Sequence, residues 1–450
     1  MEKNKILRNV SSLTAEQLFE EEKQGNVTFK EVDETGELSP AKRRRWRELK
    51  EEEERLDDEV WEQAKYGNEE DLREYIRRFP NGKHVSEAKD AIDGIIIGRK
   101  NREADKEKLL EKIRSNPNSD ETDIEEIKIK LRDGTISKSD LINRCAIPEY
   151  IVESIEEVEP ISFDRFESGV KFSIPEGFTE VYFWGVPGSG KTCALAAVLK
   201  QADMMGYLNI GGGVGGDYAE TLCNIYEDSG VSYLPPSTDQ DYTQFLPFTL
   251  KKKDEKFPRS VALIELSGEL FRCFYCKEKQ IKFDKPELED TFNHLNQLLA
   301  SKNRKIHFFF VDYDVKNKKD KYHRTQKQYL KAAANYFQNP KNSRVFQEKT
   351  DAIYVILTKS DLMSKSYEDQ LNKAGEYLHG TDFISFTNTL IGFCGNRING
   401  GRLLYEPFTL GEVYFNKLCG FDGTAAGRIV DILMRRIVPQ KKSIFDVLNR

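Results

Sequence analysis

No run in this chain approaches the roughly 18 apolar residues a membrane-spanning helix needs, and residues 1–5 lead into no signal-like apolar core. Apolar residues are scarce throughout at 38%, whereas 32% of the chain is charged, with most of that excess before residue 160. Cysteine is sparse: the seven, at 145, 193, 223, 273, 276, 394 and 419, are odd in number and mostly set in apolar runs. That usage argues against a disulfide framework and for a reducing, cytoplasmic compartment. Cys273-Phe274-Tyr275-Cys276 has no second pair to complete a zinc site, so apolar packing is expected of it. A surplus of positive charge is missing too. The formal net charge is −7 with both signs mixed, so nucleic acid is not an expected partner. The length leaves room for two or three domains and at least one sizeable core.

What is present is organised around residues 180–199. Glu180-Val181-Tyr182-Phe183-Trp184 predicts a buried strand, and Cys193-Ala194-Leu195-Ala196-Ala197-Val198-Leu199 predicts a helix. Between them lies Gly185-Val186-Pro187-Gly188-Ser189-Gly190-Lys191-Thr192, a G-x-x-x-x-G-K-T sequence in the strand–loop–helix order of a phosphate-binding P-loop. Such glycines let backbone N–H groups turn toward a β-phosphate, and the helix N-terminus adds positive potential. Lys191 is expected to bridge the β- and γ-phosphate oxygens and Thr192 to place its hydroxyl on Mg²⁺, with Gly185, Gly188, Ser189, Gly190 and Cys193 completing the cradle. The bland alternative is a glycine-rich turn that happens to carry Lys-Thr; the flanking strand and helix argue against it.

Downstream, residues 209–217 (NIGGGVGGD) look too glycine-rich for regular structure, and no Lys-Ser or Lys-Thr follows to make a second phosphate loop. A loop before a helix at 218–226 is expected there. The exposed Tyr233-Leu234-Pro235-Pro236-Ser237-Thr238 precedes a strand at 245–251, where a metal-closing switch threonine would sit: Thr238, with Ser237 as rival. The strand at 260–266 runs into Glu265-Leu266-Ser267-Gly268-Glu269. Its position suits a D-x-x-G element in which the acid orients Mg²⁺ and the Gly268 amide reaches the γ-phosphate, with Glu in place of Asp. Glu269 stands where a water-positioning Gln or His would follow, so slow unassisted hydrolysis is expected. The strand at 306–311 ends at Asp312, which competes with Glu265 for the metal; Glu265 is favoured because it follows the switch-like hairpin. The strand at 352–357 ends in Thr358-Lys359-Ser360-Asp361, an N/T-K-x-D element. An aspartate there accepts both N1–H and N2–H of guanine while the lysine stem packs on the base. Adenine would leave that carboxylate partly unpaired, a mismatch worth factors of about 10⁴. Ser385-Phe386-Thr387 is one candidate for the last guanine-contacting loop, residues 316–327 read as a solvated basic insertion, and residues 427–438 as an amphipathic closing helix.

The part before residue 160 predicts helices only. Thr14-Ala15-Glu16-Gln17 has capping-box spacing and Gly25 closes the helix. Leu18, Gly25, Val27, Thr28 and Val32 correspond to Ile127, Gly134, Ile136, Ser137 and Leu141, which is either a weak internal repeat or a coincidence between two ordinary hairpins. Lys42-Arg43-Arg44-Arg45 followed by Glu51-Glu52-Glu53-Glu54 reads as a solvated helix. Trp61, Ala64, Leu72, Tyr75, Ile76 and Phe79 fall at helical spacing around Gly67-Asn68, and a third helix starts near Ala88. The two short helices expected over 136–158 look like a helix-turn-helix, but Glu149, Glu153, Glu156 and Glu157 would repel phosphates, so they read as an interaction module.

The Trp61–Ala88 pattern resembles tetratricopeptide-like helical hairpins of bacteria. GVPGSGKT, Thr238, Glu265–Gly268 and TKSD together resemble the Ras-like, translation-factor-class P-loop GTPases, and the Pro235-Pro236-Ser237-Thr238 loop and the segment 408–413 more loosely those of bacterial conflict or signalling systems. The resemblance implies an α/β P-loop domain with a mostly parallel sheet over 175–450, preceded by an all-α adaptor. That adaptor comprises a helical unit at 1–55, the hairpin and a long helix at 56–115, and a helical module at 116–160. It further implies GTP/GDP and Mg²⁺ as ligands, GTP hydrolysis, and a protein partner engaged through the N-terminal helices. A P-loop ATPase using Asp312 and a non-hydrolysing nucleotide scaffold are the open alternatives.

Overall fold

The computed structural model describes residues 2–119, 121–160, 173–226, 230–235, 243–283, 286–315, 318–320, 322–342, 348–394 and 398–439. The chain divides into two compact units, Met1–Glu111 and Lys112–Arg450.

The first unit is helical over its described residues: α1 (Glu2–Leu7), α2 (Ala15–Lys23), α3 (Phe29–Glu34), α4 (Pro40–Ala64), α5 (Glu69–Arg78) and α6 (Val85–Ser115), whose last residues belong to the second unit. Local chemistry sets the helix ends. Thr14 and Gln17 form the expected capping box on α2, and Thr28 with Glu31 does the same for α3, each satisfying amide groups the first turn leaves open. Leu18, Val27, Val32 and Leu38 pack around the fully buried Trp46, while Trp61, Ala64, Leu72, Tyr75, Phe79, Ala88 and Ile92 close the α4–α5–α6 hairpin. The charged run at 42–54 lies inside α4, where pairs such as Arg44–Glu48 are exposed and each contributes little.

The second unit begins with α7 (Ile124–Arg132), α8 (Lys138–Cys145) and α9 (Glu149–Ser154). Here the chain reproduces the α2–α3 geometry. Gly25 and Gly134 have φ of 74° and 73°, Ser137 and Asp140 form a capping box as Thr28 and Glu31 do, and Leu18, Val27 and Val32 are buried like Ile127, Ile136 and Leu141.

The strands are β1 (Thr179–Trp184), β2 (Leu208–Ile210), β3 (Val231–Tyr233), β4 (Thr243–Leu250), β5 (Arg259–Leu266), β6 (Arg304–Asp312), β7 (Thr350–Thr358), β8 (Leu404–Phe408), β9 (Gly411–Tyr414) and β10 (Leu418–Phe421). Seven of them form one sheet in the order β2-β4-β5-β1-β6-β7-β8, in which only β4 runs against its neighbours. The other three make a small antiparallel sheet, β3-β10-β9. Every residue of β1 is buried, because side chains alternate between two covered faces. Val181 and Phe183 join the layer of α10 (Lys191–Met204), α11 (Val214–Cys223) and the C-terminal helix Thr424–Arg436, whereas Tyr182 and Trp184 join that of α12 (Gly268–Lys279), α13 (Pro286–Leu299) and α14 (Gln326–Gln338).

One expectation fails in this region. The loop is confined to residues 211–213: β2 ends at Ile210 and α11 starts at Val214. The glycines there serve packing, since a Cβ on Gly215 would meet the Phe245 carbonyl oxygen of β4 at 2.4 Å.

The strand order turns back at β1, with β5 on one side and β6 on the other. Open α/β sheets hold ligands in the crevice outside the carboxyl ends of strands at such a point. The ends of β1, β5, β6 and β7 lie along this edge: Phe183 is level with Glu265, Trp184 with Phe309 and Asp312 with Thr358.

Candidate nucleotide site

The loop after β1 leads straight into α10, so the amide groups of the helix's first turn lie beside the crevice. Gly188 and Gly190 have φ of 75° and 83°, left-handed values that a side chain would resist. Ser189 is buried and its hydroxyl donates to the Val186 carbonyl at 2.8 Å, bracing the turn from within. Lys191 is buried as well. Its Nζ donates to the carbonyls of Gly185 at 2.9 Å and Val186 at 3.0 Å, curling over the loop it belongs to. Burial pushes its pKa down to about 8, against the opposing pull of Glu265. Cys193 follows on the same helix, its thiol pushed up to about 11 by burial.

Beside the loop, the Thr192 hydroxyl donates to Glu265 Oε1 at 2.6 Å. Glu265 is buried at the end of β5, one residue before Leu266 hands the chain to Ser267, whose hydroxyl caps α12. Gly268 then passes so close to the phosphate loop that a Cβ on it would lie 2.2 Å from the Pro187 nitrogen. Only glycine tolerates that approach. Glu269, in the first turn of α12, pairs with Arg272.

The third segment comes from β7. The Thr358 hydroxyl donates to the Ser189 carbonyl at 3.1 Å, tying this strand end to the phosphate loop. Lys359 takes a left-handed conformation and its ammonium reaches Asp312 and Asp314, each at 3.1 Å. Burial works against the Lys359 charge, but the two carboxylates outweigh it and hold the group above its ordinary range. Asp361 is the middle residue of a short 3-10 turn, Ser360–Leu362, and is half-buried.

Asp312, the rival metal ligand, is engaged otherwise. Besides Lys359 it accepts the Asp314 amide at 2.9 Å, and it is Glu265 that the Thr192 hydroxyl meets. Burial pushes the Asp312 carboxyl upward, with Lys359 opposing. A hydroxyl and a carboxylate converging beside a phosphate cradle suit Mg²⁺, which takes one or two protein oxygens and completes its shell with phosphates and water. Among the described residues no group of three or more His, Cys, Asp or Glu gathers into a metal site of its own. No helix among them is long and apolar enough to cross a membrane.

Thr238 and Ser237 lie outside the described residues. Ser385-Phe386-Thr387 is not part of the site: it lies within the helix Ile384–Phe393, with Thr387 buried and donating to the Leu378 carbonyl. The turn from β8 to β9, residues 409–410, follows a strand end beside that of β7, because Phe408 is level with Thr358. Of the basic stretch 316–327, residues 316, 317 and 321 lie outside the described residues and Lys318, Lys319 and His323 are exposed, while Asp320 accepts the Tyr329 hydroxyl at 2.6 Å and the Arg324 amide at 3.0 Å.

No protein-family model matches the chain, and no curated protein matches it. Among solved structures, a nucleolar GTP-binding protein of Plasmodium falciparum is similar at 13% identity over 58% of this chain and 89% of that one, with a TM-score of 0.24. The signal recognition particle receptor SRb-GTP/SRX complex of Chaetomium thermophilum is similar at 14% identity over 57% and 100%, with a TM-score of 0.27. At these values neither likeness decides the function.

Proposed function

We propose that the second unit binds GTP with Mg²⁺ and hydrolyses it to GDP and phosphate, slowly without an activator, and that nucleotide state sets how the helical N-terminal region engages a protein partner. On this reading the chain is a P-loop GTPase of the Ras-like, translation-factor class, of the kind found in bacterial conflict or signalling systems, working in the cytoplasm. The observation that carries it is the Thr358–Ser189 hydrogen bond, which joins the base-selecting segment to the phosphate loop.

Each residue then has a task. Lys191 exchanges its two loop carbonyls for β- and γ-phosphate oxygens, and the amides of 188–193 face the same anion. Thr192 and Glu265, joined by Thr238, would hold Mg²⁺, which supplies charge neutralisation at the phosphate oxygens. Gly268 offers its amide to the γ-phosphate. Asp361 accepts the N1–H and N2–H of guanine, and the Lys359 stem lies along the base while Asp312 and Asp314 keep its ammonium in place. Water adds at the γ-phosphorus as the bridging P–O bond to GDP breaks. Glu269, which is paired with Arg272, stands where water would be oriented, in keeping with a low intrinsic rate.

Titration of the purified chain with labelled GTP, GDP and ATP tests the reading, with GTP and GDP expected to bind and ATP to compete at least about 10³-fold less well. Asp361→Asn is expected to move the preference from guanine to xanthine nucleotides. An unchanged preference would remove Asp361 from the base pocket.

A further inference from the structure

We propose that Arg272 guards the mouth of the phosphate site: it neutralises Glu269 and ties that carboxylate to Asp320 and Tyr322, so that loosening this clamp weakens triphosphate binding selectively. The inference rests on the GTP reading above and adds a positioning residue that no motif announces.

Gly268 lies against Pro187, so the next residue, Glu269, opens α12 beside the phosphate loop. A carboxylate suits the first turn of a helix, yet left bare it would oppose a γ-phosphate arriving at the same place. Arg272, one turn along, pairs with it. The arginine is buried and gripped from its far side: its guanidinium lies 3.8 Å from the centre of the Tyr322 ring and 5.8 Å from that of Tyr329, with Asp320 3.8 Å from its Nε. Asp320 is in turn fixed by the Tyr329 hydroxyl and by the amides of Tyr322 at 2.9 Å and Arg324 at 3.0 Å. Lys319 and Thr325 form an antiparallel bridge, and Arg324 stacks 4.3 Å over Tyr275 of α12. Two guanidinium–ring contacts thus fasten Tyr322 and Arg324 to the helix that starts at the phosphate site. Burying the Arg272–Glu269 pair carries a desolvation cost that apolar packing would avoid. Its place beside the anion supplies the reason: GTP brings charge to this spot that GDP lacks.

Arg272→Met is expected to weaken GTP binding about tenfold while GDP binding stays within about twofold, because only the γ-phosphate meets the exposed carboxylate. Adding Glu269→Gln to that variant restores GTP binding to within about twofold of wild type. Asp320→Asn, which loosens the hold on Arg272 and leaves Glu269 in place, gives a smaller loss of about threefold. Glu269→Gln alone leaves GTP binding no weaker than wild type, and this arm does not depend on the Arg272 variant folding. Parallel losses for GTP and GDP, or no rescue by Glu269→Gln, overturn the inference while the nucleotide reading stands. A wild-type chain that binds neither nucleotide overturns both.

Discussion

Lys191, the first residue of α10 beyond the carboxyl end of β1, and Lys305, near the amino end of β6, are both buried and are satisfied in opposite ways. Lys305 sits in a finished network. Its Nζ donates to Ser301 O at 3.0 Å, Ser301 Oγ at 2.9 Å and Asn303 O at 2.8 Å, with Glu180 at 3.5 Å. Glu180, equally buried, accepts from Tyr182, Ser301 and Asn303. Lys191 meets two carbonyls of its own loop, and among the described residues no carboxylate comes within ion-pair distance of its ammonium. A buried charge with its counter-ion built in is scaffold. One whose hydrogen bonds go to two loop carbonyls, with Glu265 acting only from beyond ion-pair distance, suits the proposed role of meeting an anion from outside.

The comparison can be broken at either end. The largest effect is expected at the finished pair: Lys305→Met strands the Glu180 carboxylate and should cost about 3–5 kcal/mol in chemical denaturation. Adding Glu180→Gln should recover part of that. A Lys305→Met midpoint equal to wild type would erase the distinction between the two lysines. Lys191→Ala should change stability by less than about 1 kcal/mol while weakening nucleotide binding at least about hundredfold, a loss of about 2.7 kcal/mol. Wild-type affinity in that variant would end the phosphate-site reading.

The smallest effect sharpens the comparison through pH. Burial holds Lys191 at about 8 in the folded chain, below its ordinary value, so between these values the unfolded chain keeps a proton the folded one has lost. The stability of the nucleotide-free protein should therefore rise with pH above about 8, while triphosphate affinity, which needs the ammonium, should fall over the same range. Burial depresses Lys305 as well, with Glu180 opposing, so its share of the slope has the same sign and should persist when Lys191→Met removes the other. Melting curves at several pH values separate the two shares.

Much of the site was readable in advance because its parts are local. The strand, glycine turn and helix at 180–199 are neighbours along the chain, and so are the capping boxes at Thr14 and Thr28. Where reading failed, distant chain had intervened. The glycines at 215–216 looked like a loop because their close neighbour, β4, is some thirty residues away in sequence. The basic run at 316–327 looked solvated throughout because Arg272, which meets its Tyr322 and Asp320, lies on another helix. The candidate Ser385-Phe386-Thr387 falls within a helix because strand order, not composition, decides which turns follow the strand ends.

The amino-acid order by itself determined most of the helices and central strands, the α2 cap and the glycine turn at 185–192, since each is set by residues within reach of one another along the backbone. Only the tertiary structure decided that Glu265 rather than Asp312 meets Thr192, across 73 positions, and that Thr358 closes on Ser189, across 169. It also decided which buried lysine has a counter-ion. Those outcomes depend on strand order and register, which bring far-separated side chains to one edge of the sheet and leave others at its opposite end.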